Sequence, residues 1–296
     1  MERFFSNIVK KIFLLNLLIL GRPWNGFLIG LFSVFGFLYI SSFNLVLCFS
    51  LFFVFLLQYF AGAIVNDLSD FSTDSINTPY LPLESGVVKK NQAKILAILV
   101  YLFSFVFSLS ISINLFIGVL IFFLFGLIYS VNPFRFVARG FLANLTLATV
   151  TILIPFSTGA FLADNLFYLD KSLMFMVISF SLFFVFFSIS KDFKDLKGDK
   201  NAGKNTFVSK HGVKKAAQIS ILGETLFFII FIFSFFSRTK FNLFFIVSSL
   251  FFIILLIIFN KALLNGEQSP EEYEKIFSTS RTLIFLYSIS LLFYLW

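Results

Sequence analysis

The chain has 296 residues, of which 59% are hydrophobic and only 13% charged, with 50 Phe and a net charge of +8. Its mean hydropathy of +0.96 excludes an ordinary soluble domain, in which about a quarter of residues are charged. The single cysteine, Cys48, and single histidine, His211, exclude a disulfide framework and a thiolate metal centre, and the placement of Lys and Arg in short segments between apolar runs reads as membrane topology, not nucleic-acid binding.

In chain order, residues 2–20 come first, with Arg3, Lys10 and Lys11 set among Phe4, Phe5, Ile8, Val9, Ile12 and Phe13. This pattern predicts an amphipathic helix at the membrane surface. No small-residue cleavage site precedes Arg22-Pro23, so the segment is expected to be retained. Against a hydrocarbon core of about 30 Å, or roughly 20 helical residues, nine apolar runs follow, near 24–43, 44–65, 95–113, 115–130, 141–163, 171–190, 216–236, 241–259 and 281–296. The expected fold is an all-α membrane protein of about nine transmembrane helices, a single domain over 1–296, with cap loops at 66–94 and 191–215.

Orientation follows from charge, because Lys and Arg accumulate on the cytoplasmic side. With the N-terminus inside and nine spans, all of the 23 Lys and Arg except Lys171, Arg238 and Lys240 fall on one side. The expectation is an integral cell-membrane protein with its N-terminus cytoplasmic, its C-terminus outside and both cap loops cytoplasmic.

Two clusters in those loops hold six of only 15 acidic residues. Asp67, Asp70 and Asp74 follow the second span, and Asp192, Asp195 and Asp199 follow the sixth, both sets at i, i+3 and i+7. On a helix that spacing forms one stripe. Stacked carboxylates repel unless a cation lies between them, and hard oxygen ligands suit Mg²⁺, which takes one or two carboxylates plus phosphate oxygens and water. Two such stripes facing one another form a metal–diphosphate clamp. The chemistry that fits is departure of diphosphate from an allylic prenyl chain, leaving a carbocation that an apolar chamber must keep from water.

The N-D-x-x-D-x-x-x-D segment at Asn66–Asp74 and the D-x-x-D-x-x-x-D segment at Asp192–Asp199 resemble the UbiA superfamily of intramembrane prenyltransferases. The likeness extends to Arg22-Pro23-Trp24-Asn25, to Leu81-Pro82-Leu83-Glu84-Ser85-Gly86, to Tyr129-Ser130 with the basic residues and Asn144 after it, and to the Gly198–Thr206 loop. The resemblance implies a ring of nine helices around a central cavity, two Mg²⁺ ions and a cap of loop helices. Asp67, Asp70, Asp74, Asp192, Asp195 and Asp199 would be metal ligands, with Asp67, Asp70, Asp195 and Asp199 central to catalysis. Arg22, Asn25, Asn66, Tyr129, Ser130, Arg135, Arg139, Lys191 and Lys204 would bind substrate. Family members usually carry Arg where this chain has Leu81, a lost phosphate ligand for which Arg135 or Arg139 could substitute.

The Arg-Pro-x-Asn start and the second motif are most similar to the superfamily's archaeal branch acting on geranylgeranylglyceryl phosphate, so the implied partners are a prenyl diphosphate, a lipid-phosphate acceptor and membrane lipid. No nucleic acid and no obligate protein partner are implied. The alternative is an aromatic acceptor of quinone biosynthesis. Haem farnesylation fits less well, because Ser75-Ile76-Asn77-Thr78 follows Asp74 where Met-x-Arg-Thr is expected. A transporter is the reading from another class, disfavoured because transporters place essential charge at the midplane and these clusters lie at span ends.

Five further features lie outside these motifs. Glu224 stands inside the seventh span, where an ionisable group is costly and is by default a functional candidate or a hydrogen-bonded neutral acid. His211 reads as a surface residue, Pro155 as a helix kink, and Asn114 and Asn242 as caps. Ser269 is expected to cap a helix whose first turn carries Glu271 and Glu272.

Overall fold

The computed structural model describes residues 13–166, 170–201, 203–236, 243–265 and 268–295. They are helical almost throughout: α1 (Phe13–Leu20), α2 (Pro23–Leu38), α3 (Leu45–Asn77), α4 (Lys90–Ile111), α5 (Ile113–Ser130), α6 (Phe141–Ala163), α7 (Lys171–Phe187), the short α8 (Leu196–Asn201) and α9 (Phe207–His211), α10 (Val213–Phe236), α11 (Leu243–Lys261) and α12 (Pro270–Leu295). Seven of the described helices, α3 to α7, α10 and α11, are long and apolar enough to cross a membrane. α2 is a shorter apolar helix of 16 residues, and α12 joins a charged first half to an apolar second half. Each of the nine expected runs overlaps a helix, the first ending at Leu38 and not near residue 43. The surface helix expected from residue 2 lies outside the described residues up to residue 12, as does Asn242.

Local signals account for several boundaries. Pro23 opens α2 at a position where its missing N–H costs nothing. Asn44 caps α3 by accepting from the Leu47 N–H at 3.1 Å, and Asp170 caps α7 by accepting from the Leu173 N–H at 3.0 Å. α5 is capped by Ser112, which accepts from the Asn114 N–H at 3.1 Å, whereas the Asn114 side chain donates to Asn165 Oδ1 at 2.6 Å. The expected Asn114 cap is thus replaced by the hydroxyl two residues earlier. Ser269 and Glu272 form a reciprocal capping box at the start of α12. Pro155 follows a π-helical turn at Thr149–Leu153, so the distortion that proline demands is taken up inside α6.

The helices close into a ring. α2 packs on α3 and α6, α3 on α4 and α5, and α5 on α6. From there α6 packs on α7, α7 on α10, α10 on α11, α11 on α12, and α12 returns to α2. All acidic-motif residues lie at one end, the mouth. Away from the mouth the bundle is packed by Phe: Phe32 and Phe180 are 5.5 Å apart between ring centroids, Phe180 and Phe231 4.6 Å, and Phe235 and Phe245 4.3 Å. Such pairs add to the area they bury.

Backbone contact between α2 and α6 depends on glycine. A Cβ at Gly159 would lie 1.9 Å from the Ser33 carbonyl oxygen, and one at Gly36 2.0 Å from that of Phe156. Without small residues here the helices cannot approach, and close approach is what drives helix association in lipid. Gly159→Leu is expected to cost more than about 4 kcal/mol, seen as loss of the monodisperse species when detergent-extracted protein is run on size-exclusion chromatography. A monodisperse G159L variant would mean that α2 and α6 can part.

Candidate active site at the acidic mouth

The first acidic motif rides on the last turns of α3, which continues as helix to Asn77 instead of opening into a loop at residue 66. The i, i+3, i+7 spacing therefore does place Asp67, Asp70 and Asp74 on one face. Asp67 and Asp70 are only 2% and 4% exposed, so each needs a partner. Arg22 Nη2 donates to Asp67 Oδ1. Arg135 Nη2 donates to Asp70 Oδ1 at 2.5 Å, and Lys204 Nζ lies 3.3 Å from Asp70 Oδ2. Arg22, at φ 46°, and Arg135, at φ 39°, are the non-glycine residues with positive φ among those described. The left-handed backbone costs an L-residue about 1–2 kcal/mol. That expense falls on the two guanidiniums that meet the first motif, as expected where function constrains the chain.

The second motif is not a continuous stripe. α7 tightens into a 3₁₀ segment at Ser188–Asp192, a turn follows, and Asp199 lies on α8. A 3₁₀ helix turns once every three residues, and the buried Phe193 is drawn toward the Tyr273 ring at 5.4 Å, so helical register is lost between Asp192 and Asp195. The Asp199 N–H donates to the Asp195 carbonyl at 2.8 Å, and the Lys204 N–H to that of Asp199 at 2.9 Å. This backbone turn presents the Lys204 ammonium to Asp70 of the first motif, while α8 packs against α3. Burial pushes the Asp199 carboxyl up to about 7, opposed by Lys204, and raises Asp195 against the pull of Lys194, Lys191 and Lys204. One ammonium thus acts on both motifs.

The remaining expected residues divide. Lys191 Nζ donates to the Tyr129 hydroxyl at 2.8 Å and lies 3.9 Å from Asp192 Oδ1. Asn66 Nδ2 donates to Ser130 Oγ at 3.4 Å. Asn25 Nδ2 donates to the Tyr59 hydroxyl at 2.9 Å, and its Oδ1 accepts from Arg281 Nη1 at 3.3 Å. Arg139 stands apart: it donates to the Pro133 carbonyl at 2.8 Å and lines a separate cleft of about 600 Å³ with Asn205, Lys210 and His211. Of the two arginines expected to stand in for the one absent at Leu81, Arg135 is the one that reaches the acidic motif. His211 rests on the Phe207 ring at 4.6 Å.

Sequence reasoning missed Tyr59 and Arg281 as parts of the mouth. Arg281 interrupts the polar run Ser278–Thr282 at the head of the last apolar stretch, a lone charge that served only to count topology. Glu84 also gains weight, since both its carboxylate oxygens are buried without a hydrogen-bond partner and burial raises its pKa.

Among the described residues no three acidic, His or Cys side chains converge as a ready metal centre. The donor set nonetheless fits a hard divalent cation. It consists of carboxylates, Asp67 and Asp70 are held by cations of the chain, and the buried Asp192 Oδ2 has no hydrogen-bond partner.

Known proteins resemble this chain in sequence and fold. A curated digeranylgeranylglyceryl phosphate synthase from Saccharolobus solfataricus is 30% identical over 229 residues, covering 76% of this chain and 78% of that protein. A solved structure of a digeranylgeranylglyceryl phosphate synthase in membranes superposes with a TM-score of 0.67 at 23% identity, over 94% of this chain and 97% of its own. A UbiA homologue from Archaeoglobus fulgidus, bound to DMAPP and Mg²⁺, superposes with a TM-score of 0.71 at 20% identity, over 93% of this chain and 98% of its own. These two likenesses establish the fold. The sequence profile of the UbiA prenyltransferase family matches residues 17–289, and the chain is an integral membrane prenyltransferase belonging to that family.

Proposed function

We propose that the protein transfers a geranylgeranyl group from its diphosphate to geranylgeranylglyceryl phosphate, using Mg²⁺ at the acidic mouth, with the mouth on the cytoplasmic face. The observation that carries this reading is the alternation of carboxylate and cation at one end of an apolar ring: Arg22 on Asp67, Arg135 on Asp70, and Lys204 between Asp70 and the second motif. A site for diphosphate alone needs only the cations, and a site for a metal alone needs only the carboxylates. Both together suit a metal diphosphate.

Bound Mg²⁺ would offset the negative charge that develops on the departing diphosphate. Asp67, Asp70, Asp74, Asp192, Asp195 and Asp199 are the residues that would hold it. Arg22, Arg135, Lys191 and Lys204 bind phosphate oxygens, for which charge-assisted hydrogen bonds are suited. Tyr129, oriented by Lys191, and Ser130, oriented by Asn66, line the wall where α5 reaches the mouth. Below, the apolar helices exclude water from the allylic cation until the acceptor hydroxyl attacks.

The acceptor assignment is supported by the name of the Saccharolobus relative, which matches over three quarters of both chains. The orientation is supported by the concentration of Lys and Arg in the segments beside the mouth. Diphosphate release by purified protein from geranylgeranyl diphosphate with Mg²⁺ is expected to require geranylgeranylglyceryl phosphate and to cease on chelation. Release with hydroxybenzoate or a naphthoate in its place would overturn the lipid acceptor while leaving prenyl transfer intact.

A further inference from the structure

The C-terminal half of the ring holds a buried polar chain that the transfer chemistry does not use. Glu224, on α10, is 2% exposed. Its Oε1 lies 2.6 Å from Ser220 Oγ, and its Oε2 accepts from Asn260 Nδ2 of α11 at 2.5 Å. Asn260 Oδ1 in turn accepts from Ser280 Oγ of α12 at 3.0 Å. Ser220 Oγ also lies 2.8 Å from the Phe186 carbonyl oxygen of α7. Four helices meet at this chain. Gly223 permits the meeting, because a Cβ there would lie 2.2 Å from the Phe186 ring.

A protonated Glu224 satisfies every contact of this chain. Asn260 supplies the hydrogen to Oε2, but Ser220 has one hydroxyl hydrogen and two oxygens within reach, Phe186 O and Glu224 Oε1. Each contact gains a hydrogen of its own when Ser220 donates to Phe186 while Glu224 donates to Ser220. No Lys or Arg forms an ion pair with Glu224 among the described residues, so nothing compensates an ionised carboxylate in this apolar site.

We propose that Glu224 keeps its proton throughout turnover and is a positioning residue, a neutral clasp that sets both sides of the mouth. Through Ser220 it holds the Phe186 carbonyl, just ahead of the 3₁₀ segment that carries Lys191 and Asp192. Asn144 grips the same segment from α6, donating to Ser188 Oγ at 2.9 Å. Through Asn260 and Ser280 the clasp also holds the turn of α12 whose next residue, Arg281, reaches Asn25. The catalytic part of this inference rests on the transferase reading; the protonation does not.

The test compares Glu224→Gln with Glu224→Leu. A glutamine can donate to Ser220 and accept from Asn260, so E224Q is expected to keep wild-type thermal stability, the wild-type pH profile and kcat within roughly twofold. E224L, which keeps neither bond, is expected to lose about tenfold or more in kcat. The infrared difference spectrum between wild type and E224Q at neutral pH is expected to show the C=O stretch of a protonated carboxylic acid. A carboxylate band in its place overturns the proposal, with or without an active acceptor assay. So does an E224Q variant as impaired as E224L, or one that loses a limb of the pH profile.

Discussion

Asp70→Asn is expected to lower diphosphate release by about 10²–10³-fold, the usual effect of removing one preorganised electrostatic group from a reacting centre. Among the described residues Asp70 is the acidic residue with the most ion-paired cations: Arg135 occupies Oδ1 and Lys204 is beside Oδ2. An amide of the same shape cannot balance two cations, so both the guanidinium and the ammonium lose their fixed positions and a carboxylate is lost to the metal. The fold is expected to survive, because Asn fills the same volume at the end of α3. The assay is release of diphosphate from geranylgeranyl diphosphate, with Asp164→Asn as control, since Asp164 caps the Leu166 N–H after α6. Comparable turnover in D70N and D164N would remove Asp70 from the reacting centre.

Lys204→Met is expected to act on both acidic motifs at once. Lys204 is nearly buried, with 10% of its side chain exposed, and Asp70 is more so. Removing one member of a buried pair costs about 3–5 kcal/mol, so affinity for the prenyl diphosphate is expected to fall by about 10²-fold or more. Asp199, already held near 7 by burial, loses the cation that opposes that rise. Lys204→Arg is expected to restore part of the loss, since it keeps the charge but not the compact point-like head. Binding is read by the KM for geranylgeranyl diphosphate and by the shift of the thermal midpoint on adding it. A K204M variant with unchanged KM would separate this lysine from the substrate.

The spans were legible because a run of about 20 apolar residues has few folded solutions in a membrane. The first motif was legible only in part: its spacing puts Asp67, Asp70 and Asp74 on one face of any helix, but the segment was expected in a loop from residue 66, and α3 instead runs on to Asn77. The second motif has the same spacing in sequence, yet the 3₁₀ turn at Ser188–Asp192 gives it a different geometry. That turn depends on Phe193 packing against Tyr273, on a helix far along the chain. The choice between Arg135 and Arg139 was equally out of reach, because it is made by the positive φ at Arg135 and not by charge. Glu224 stood out as a charge in an apolar run, but its partners Asn260 and Ser280 come from two other helices. Residue type announces such a site, and only the packing says who completes it.

The ion pairs of the mouth have a thermodynamic consequence. To turn to a metal ion, Asp67 would have to let go of Arg22, and Asp70 of Arg135. Under the proposed function those released cations are the groups that would bind phosphate. Metal and diphosphate therefore do not bind independently: whatever factor one adds to the affinity of the other is returned in equal measure. On that reading the metal affinity of the protein alone would understate its affinity during turnover, with the chain's own cations as a placeholder that the complete metal diphosphate displaces.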